Sequence, residues 1–533
     1  MPAARQLRAL APLVIVTLLW AGGALLTQPW GEFPLNDDWD YAKSARALAE
    51  RGAVEISPEA RVTLVAQAAW GALFSLPFGW SFFALRLSTL TAGLLGVLAT
   101  YGLARLVGAA RPLAAVAALS VAFCPLYFGL AFTFMTDVPS TAVLALGLLA
   151  LGRWLRQGRW SALLAGTAWS AVAVLIRPTG LAMPAAFALA ALRSALRRSR
   201  RLVGLIPLAA AAGALALWQL WALAVGLSGL ANLQAGELRD ALARGPLFLA
   251  LETLRNSAAA ALYLGLFLFP LAVAGGAVQG RAAVLSALGG LAGLGLALAG
   301  VRFPLAENVF YDLGLGPLTL RDSFFGTVPA WARGPEWVPV AATTLAGAGA
   351  AALGVLMARG ARRLRQCGGE PLLALAAATI ALSFAPLAVA GFLDRYLIAL
   401  LPPVVLLAAA GGREVRRGAL IAAAAVLLLF AGFGVAATRD YFSWNRARWL
   451  ALERLLERGV PPTEIDGGFE FNGWFTYDPV YRRDPAKSWW WVVNDRYIVA
   501  FDRLPGYREV DREPFLRLLP PAAGAVVVLE REQ

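Results

Sequence analysis

The sequence predicts an all-α polytopic membrane protein with about 13 transmembrane helices and a small soluble α/β domain at its C-terminal end. Three observations predict it. Of the 533 residues, 59% are hydrophobic and only 15% charged, against an apolar share of about 45–50% in soluble domains. Apolar runs approaching the ~20 residues that a bilayer core demands recur along the chain. Basic residues gather at alternate ends of those runs, as they do on the cytoplasmic side of membrane proteins.

The runs fall near residues 9–27, 80–104, 112–130, 138–152, 160–176, 178–192, 202–226, 256–278, 282–301, 338–357, 372–390, 396–410 and 418–437. The first follows Arg5 and Arg8 as a signal peptide would. No small-x-small cleavage pattern comes after it and it is long enough to span, so a retained anchor is expected. With the N-terminus cytoplasmic, an odd number of crossings puts the C-terminus on the opposite face, the periplasm of a bacterial inner membrane. The membrane domain is then 1–437 and the soluble domain 438–533.

Loop 28–79 is the first periplasmic loop. Within it "DYAKSARALAERG" (40–52) has helical spacing and ends in glycine, and "LVAQAAWGALFSLPFG" (64–79) is too short and too flanked by Pro and Gly for a span. Both are expected to lie along the interface as helices. In the tail, "WNRARWLALERLLERG" (444–459) reads as an amphipathic helix stopped by Gly459, followed by strands at "RYIVAF" and "AVVVLERE".

The net charge of +14 invites a nucleic-acid reading, which its placement excludes. Arg105, Arg111, Arg153, Arg156, Arg159, Arg193, Arg281, Arg359, Arg363, Arg365, Arg416 and Arg417 all sit at predicted cytoplasmic ends, where Glu370 and Glu414 are the only acids. The basicity is topological. Histidine is absent, which removes His-based catalysis and His-ligated metal. Cys124 and Cys367 fit neither a disulfide framework nor metal-ligand spacing. No cofactor is called for; a divalent metal bridging carboxylates and phosphate is compatible with these residues, but no ligand set requires it.

The charges on the predicted outer face are few and specific. Asp37, Asp38 and Asp40 follow the first span, with Tyr41 beside them. Asp137 lies in "FTFMTDVPS", Arg177 in "LIRPTG", and Asp394, Arg395 and Tyr396 in "FLDRYLIALLPP". Arg86 stands about one and a half turns into the second span. Each has a plain alternative. Paired aspartates make solvated turns, Asp-x-Pro caps helices, Arg-Pro anchors a span at the interface, and Arg86 can snorkel. Charges at hydrocarbon depth are costly and tend to face protein or water, where they carry function. Acids facing isolated arginines at a membrane surface suit transfer of a sugar from a lipid phosphate. A carboxylate takes the proton of an acceptor hydroxyl, and guanidinium forks stabilise the departing phosphate.

The order "NDDWDYA", "PFGWSFFALRLSTL", "FTFMTDVPS", "LIRPTG" and "DRYLIALLPP" resembles that of bacterial polyprenyl-phosphate-dependent glycosyltransferases with the GT-C fold. These form the superfamily of the protein O-mannosyltransferases and the lipid A aminoarabinose transferase. The likeness covers roughly residues 1–410, and "NVFYDLGLGPLTLRD" (308–322) resembles a loop of some bacterial members. It implies Asp37 as catalytic base, Asp38 as second acid and Asp137 as orienting acid. Arg177 and Arg395 would hold the donor phosphate, with Arg86 a further candidate there. Asp40, Tyr41, Asp394 and Tyr396 are candidates for binding the acceptor or the sugar. Asp40 departs from the pattern, since the aminoarabinose transferases tend to carry a base there, which puts that sugar in doubt.

The implied reaction is inverting transfer from a polyprenyl-phosphate sugar to a glycan, lipid or protein acceptor at the periplasmic face. The rival is a transporter or flippase of a lipid-linked or anionic envelope substrate, which would place charges at the midplane of repeated, broken spans. A non-catalytic envelope assembly protein is a third reading. In the tail, "IDGGFEFNGWFTYDP" (465–479) and "KSWWWVVNDRY" (487–497) could stack against sugars, although aromatics in so small a domain usually form its core.

Overall fold

The computed structural model describes residues 2–77, 79–193, 198–227, 236, 239–240, 243–306, 309–310, 334–389, 391–412, 415–482, 487 and 491–532. Among them seven helices are long and apolar enough to cross a membrane: Phe82–Leu106, Asp137–Gln157, Arg201–Ala224, Arg281–Leu298, Trp337–Gln366, Glu370–Val389 and Arg417–Glu457. The chain is a multi-pass membrane protein. Other predicted spans form shorter helices or are broken in two, and proline sits at each break. The run 112–130 becomes Arg111–Ala122 and Pro125–Leu130. Residues 256–278 fall in Pro246–Phe267 and Phe269–Ala274, and 396–410 joins a 3₁₀ stretch, Asp394–Leu400, to Leu401–Ala410. Proline lacks the N–H that would continue the ladder and clashes with the preceding turn, so it opens the second piece of each pair.

Outward faces are apolar where a bilayer would lie. On Arg417–Glu457, Ala423, Leu427, Phe430 and Gly434 form a buried stripe at helical spacing, while Ile421, Leu428 and Leu429 are exposed. In water that face would be an aggregation hazard; against lipid it costs nothing. Helices Arg281–Leu298 and Trp337–Gln366 touch backbone to backbone, and a Cβ on Gly347 would lie 2.3 Å from Gly289 O. Small residues permit such approaches where no water drives helices together.

Arginines at the basic helix ends donate to carbonyls at helix termini and in the connections beside them. Arg105 donates to Ala109 O, Arg156 to Leu106 O and Arg359 to Gly276 O. Asp137 and Arg156 occupy opposite ends of one helix, so the acidic and arginine-rich ends lie on opposite faces.

The first outer loop folds as two helices, Asp38–Arg51 and Val65–Ser75, the former closed by Gly52 in the left-handed conformation. The tail differs from the sequence expectation at its start. Residues 418–437 and 444–459 are one helix of 41 residues, Arg417–Glu457, about 60 Å long. No Pro or Gly lies between Val435 and Arg458, so nothing stops the helix at residue 437, the end expected for the membrane domain. Beyond it stands a sheet of β1 (Ile465–Asp466), β2 (Tyr497–Ala500), β3 (Tyr507–Leu518) and β4 (Pro521–Arg531), ordered β1-β2-β4-β3, with β1–β2 parallel and the other pairs antiparallel. Strand β3 was not legible, because its alternating charges resemble a solvated loop. Asp440 of the long helix accepts the N–H groups of Leu518 and Leu519 at 2.7 and 2.8 Å, fastening the sheet to the helix.

Candidate active site

Four chain segments meet at the acidic face. The helix Asp38–Arg51 begins after a turn in which Asp38 N–H donates to Leu35 O at 3.2 Å and Asn36 takes a φ of +53°. Asp37 occupies the N-cap, where an aspartate ordinarily accepts a helix N–H, yet its side chain makes no capping bond. It points instead to Arg395, whose Nη1 lies 2.9 Å from Asp37 Oδ2. Arg395 comes from the 3₁₀ stretch Asp394–Leu400.

Helix Asp137–Gln157 repeats this arrangement. Thr136 is its N-cap without a capping bond, and its Oγ1 accepts Arg177 Nε at 2.5 Å. Arg177 Nη2 lies 2.9 Å from Asp137 Oδ2. Arg177 follows the end of helix Trp160–Ile176 with extended backbone, released from the helix by Pro178. The Tyr396 ring joins the two pairs: Arg177 Cζ is 5.5 Å and Arg395 Cζ 5.3 Å from its centroid, within cation–π range.

The acids are not equivalent. The Asp37 side chain is 25% exposed and the Asp137 side chain 1% exposed. Apart from the ion pair, neither Asp137 oxygen has a hydrogen bond of good geometry, nor does Arg395 Nε. Burial works against the charge of Arg395, but Asp137 and Asp37 overcome it and hold the guanidinium firmly protonated. Tyr41 is buried and sits in the field of Asp37, Arg395, Arg177 and Asp137 together; its OH donates to Ala60 O at 3.4 Å.

Three sequence candidates have their side chains engaged by backbone. Arg86, a candidate for the donor phosphate, is one of them. It is 2% exposed and donates to Phe132 O, Pro29 O, Gly31 O and Phe33 O at 2.8–3.2 Å, so its fork is spent on backbone. Asp38 accepts Phe134 N–H at 2.6 Å and Leu35 N–H at 3.2 Å, splinting the two outer loops. Asp394 accepts Val309 and Phe310 N–H at 2.9 and 3.1 Å, so both of its oxygens are engaged by backbone. Of the predicted loop 308–322, only Val309 and Phe310 lie among the described residues. Asp40 is buried without a well-formed hydrogen bond, and burial pushes its carboxyl up to about 7 despite the nearby Ser57 hydroxyl.

Sequence reading missed Thr136, Met135 and Glu59. Met135 Sδ contacts Arg395 and Asn36, and Glu59 lies close enough to Asp37 to feel its charge. Thr136 and Met135 adjoin Asp137 in the same motif, so the motif itself was the available signal; Glu59 offered none. A cavity of about 510 Å³ is lined by Leu73, Phe74, Pro77, Ser81, Phe83, Ala84 and Leu87, and by none of these charged residues. Among the described residues no three Asp, Glu or Cys side chains come close enough to share a metal ion.

Residues 65–223 match the family of dolichyl-phosphate-mannose-protein mannosyltransferases. That stretch contains Asp137 and Arg177; Asp37 and Arg395 lie outside it. The chain is similar to ArnT from Cupriavidus metallidurans bound to undecaprenyl phosphate, with 15% identity and a TM-score of 0.46 over 85% of this chain and 73% of that one. For the same protein in the apo state the values are 14% and 0.44, over 98% of each chain. It is also similar to the archaeal oligosaccharyltransferase AglB from Archaeoglobus fulgidus in complex with an inhibitory peptide and a dolichol-phosphate, at 14% identity and TM-score 0.41 over 86% of this chain and 60% of that one. No curated protein sequence matches the chain.

Proposed function

We propose that the chain is a GT-C glycosyltransferase that moves a sugar from a polyprenyl phosphate to an acceptor hydroxyl at the outer face of the inner membrane. The observation that carries this reading is the pairing of Asp37 with Arg395 beside that of Asp137 with Arg177, around Tyr396. The family match over residues 65–223 supports it for the part of the site that contains Asp137 and Arg177.

The two pairs explain how a base can wait beside a phosphate site. A lipid phosphodiester entering between the guanidinium groups competes with the carboxylates for them through forked, charge-assisted contacts, and gains a second negative charge as the sugar leaves. Arg395 then turns to the phosphate and Asp37 is released. Its carboxylate takes the proton of the acceptor O–H. The acceptor oxygen forms a bond to the anomeric carbon as the bond from that carbon to the phosphate oxygen breaks, and the electron pair leaves on polyprenyl phosphate. Attack opposite the leaving group inverts the anomeric centre. Arg177 and Arg395 stabilise the charge that grows on the leaving group, while Asp137 keeps Arg177 in place. The N-terminus lies on the cytoplasmic side in this reading and the C-terminal domain in the periplasm.

The test is incubation of the purified protein in lipid nanodiscs with a panel of radiolabelled undecaprenyl-phosphate pentoses and hexoses and envelope-derived acceptors. The expected result is release of undecaprenyl phosphate with label on one acceptor class, lost in Asp37→Asn. Movement of the intact donor across vesicle bilayers without cleavage overturns the reading in favour of a flippase.

A further inference from the structure

The turn that presents Asp37 is held from outside the membrane domain. Glu470 opens the short helix Phe469–Thr476 of the tail and is 6% exposed. Its Oε1 accepts the Asn36 N–H at 3.0 Å, and its Oε2 accepts Arg448 Nη2 of the long helix at 2.7 Å. Asn36 immediately precedes Asp37 and carries the turn's left-handed φ, a conformation that asparagine tolerates but does not prefer. Its side chain donates to Met135 Sδ at 3.4 Å. The residue before the proposed base is therefore tied through its backbone to the tail and through its side chain to the segment that carries Asp137.

A second contact reinforces the first. Trp39 lies against Gly473 of the same short helix, where a Cβ would come within 2.4 Å of the indole. Lys43 Nζ donates to Gly473 O at 2.9 Å and sits 4.7 Å from the Trp39 ring centroid. The helix that follows Asp37 thus docks on the tail along its first turns.

We propose that the C-terminal domain braces the acidic turn and that Glu470 is a positioning residue, acting through Asn36 to aim Asp37 at the reacting centre. This rests on the glycosyltransferase reading of Asp37. Without Glu470 the buried Asn36 N–H has no acceptor, and the left-handed turn loses the contact that offsets its backbone cost. Displacements of about 1 Å at a catalytic group cost on the order of a hundredfold in rate, so a brace on this turn acts on turnover more than on donor binding.

The experiment compares wild type, Glu470→Ala and Glu470→Gln as full-length protein in nanodiscs. The first readout is hydrogen exchange of the peptide spanning residues 33–41. Loss of a charge-assisted hydrogen bond predicts exchange at least roughly tenfold faster there in Glu470→Ala, with β2–β4 unchanged. Glu470→Gln, which keeps a carbonyl toward Asn36, should restore most of the protection. The second readout is turnover of the undecaprenyl-phosphate sugar that the panel identifies, alongside binding of undecaprenyl phosphate itself. Glu470→Ala should lower kcat at least about tenfold and leave donor affinity within about twofold. Unchanged exchange at 33–41, exchange raised uniformly along the chain, or turnover unaffected while the turn loosens would each overturn the brace. Should wild type transfer no sugar at all, the glycosyltransferase reading falls, and the exchange data still decide whether Glu470 holds the turn.

Discussion

Arg395 Nη1 lies 2.9 Å from Asp37 Oδ2, a contact made across 358 positions of sequence. An aspartate placed to cap its own helix has given up that bond for a distant guanidinium. Local preference loses here because both partners are ionised in the guanidinium–carboxylate pair, whereas in a cap only the carboxylate is.

Replacing Asp37 with Asn should therefore separate chemistry from binding. A general base contributes about 10²–10⁴-fold, so transfer by Asp37→Asn should fall by at least about a hundredfold. Donor affinity should stay the same or tighten, because Arg395 no longer spends its charge on a carboxylate. Single-turnover release of undecaprenyl phosphate, alongside its equilibrium binding, reads both quantities. A variant that keeps full turnover removes Asp37 from the mechanism.

Arg177 and Asp137 form a coupled unit. Asp137 is nearly inaccessible, Arg177 makes its direct ion pair, and Arg395 lies near enough to feel its charge. Truncating one member of such a pair costs about 3–5 kcal/mol because the other charge is stranded. Arg177→Met should thus lower thermal stability sharply, and Arg177→Met combined with Asp137→Asn should recover part of the loss, with a coupling of at least about 1 kcal/mol. Donor use should remain impaired in both, since neither restores the guanidinium. Additive stability losses would show that the pair is not coupled.

Arg86 should behave in the opposite way. Its donors satisfy the carbonyls of Pro29, Gly31, Phe33 and Phe132, each charge-assisted bond contributing about 1.5–3 kcal/mol. Arg86→Gln should destabilise the fold by several kcal/mol, read as a lower unfolding midpoint in nanodiscs. The fraction that remains folded should use donor with a KM within about twofold of wild type. A selective rise in KM at unchanged stability would return Arg86 to the phosphate site.

Composition and charge asymmetry made the membrane architecture legible, because a bilayer imposes length, apolarity and sidedness on sequence directly. The outer-face motifs named segments that the fold brings together, Asp37 with Arg395 and Asp137 with Arg177, because charge beside hydrocarbon needs an explanation. Residue type and spacing alone give no contacts that separate Asp37 from Asp38 or Arg395 from Arg86; the roles came from the family resemblance. Those differences are decided by which backbone groups happen to lie opposite, Phe134 N–H for Asp38 and four carbonyls for Arg86. Glu470 was unreadable, since its partner Asn36 is 434 positions away and nothing in "GGFEFNG" distinguishes a buried acceptor from a solvated acid. The tail aromatics followed the plainer expectation in part: Phe471 and Trp491 are buried, and Trp491 packs against Trp39.

Asp40 gives the protein a pH-dependent stability whose sign can be worked out. Burial raises its folded pKa to about 7, while an unfolded aspartate titrates near ~3.9. Between those values the folded chain binds a proton that the unfolded chain has released, so stability falls as pH rises across the window and is lowest above it. The groups facing Asp40 are Ser57, Lys43, Asp37 and Glu59. Ser57 and Lys43 oppose the shift; Asp37 and Glu59 add to it. At about 1.36 kcal/mol per unit, the penalty reaches at most roughly 4 kcal/mol at pH 8. Asp40→Asn abolishes this titration, so its unfolding midpoint should exceed that of wild type at pH 8, and the gap should close as pH falls toward 4. Thermal unfolding of both proteins in nanodiscs across that range measures the difference, and a gap independent of pH would show that Asp40 is charged throughout in the folded protein.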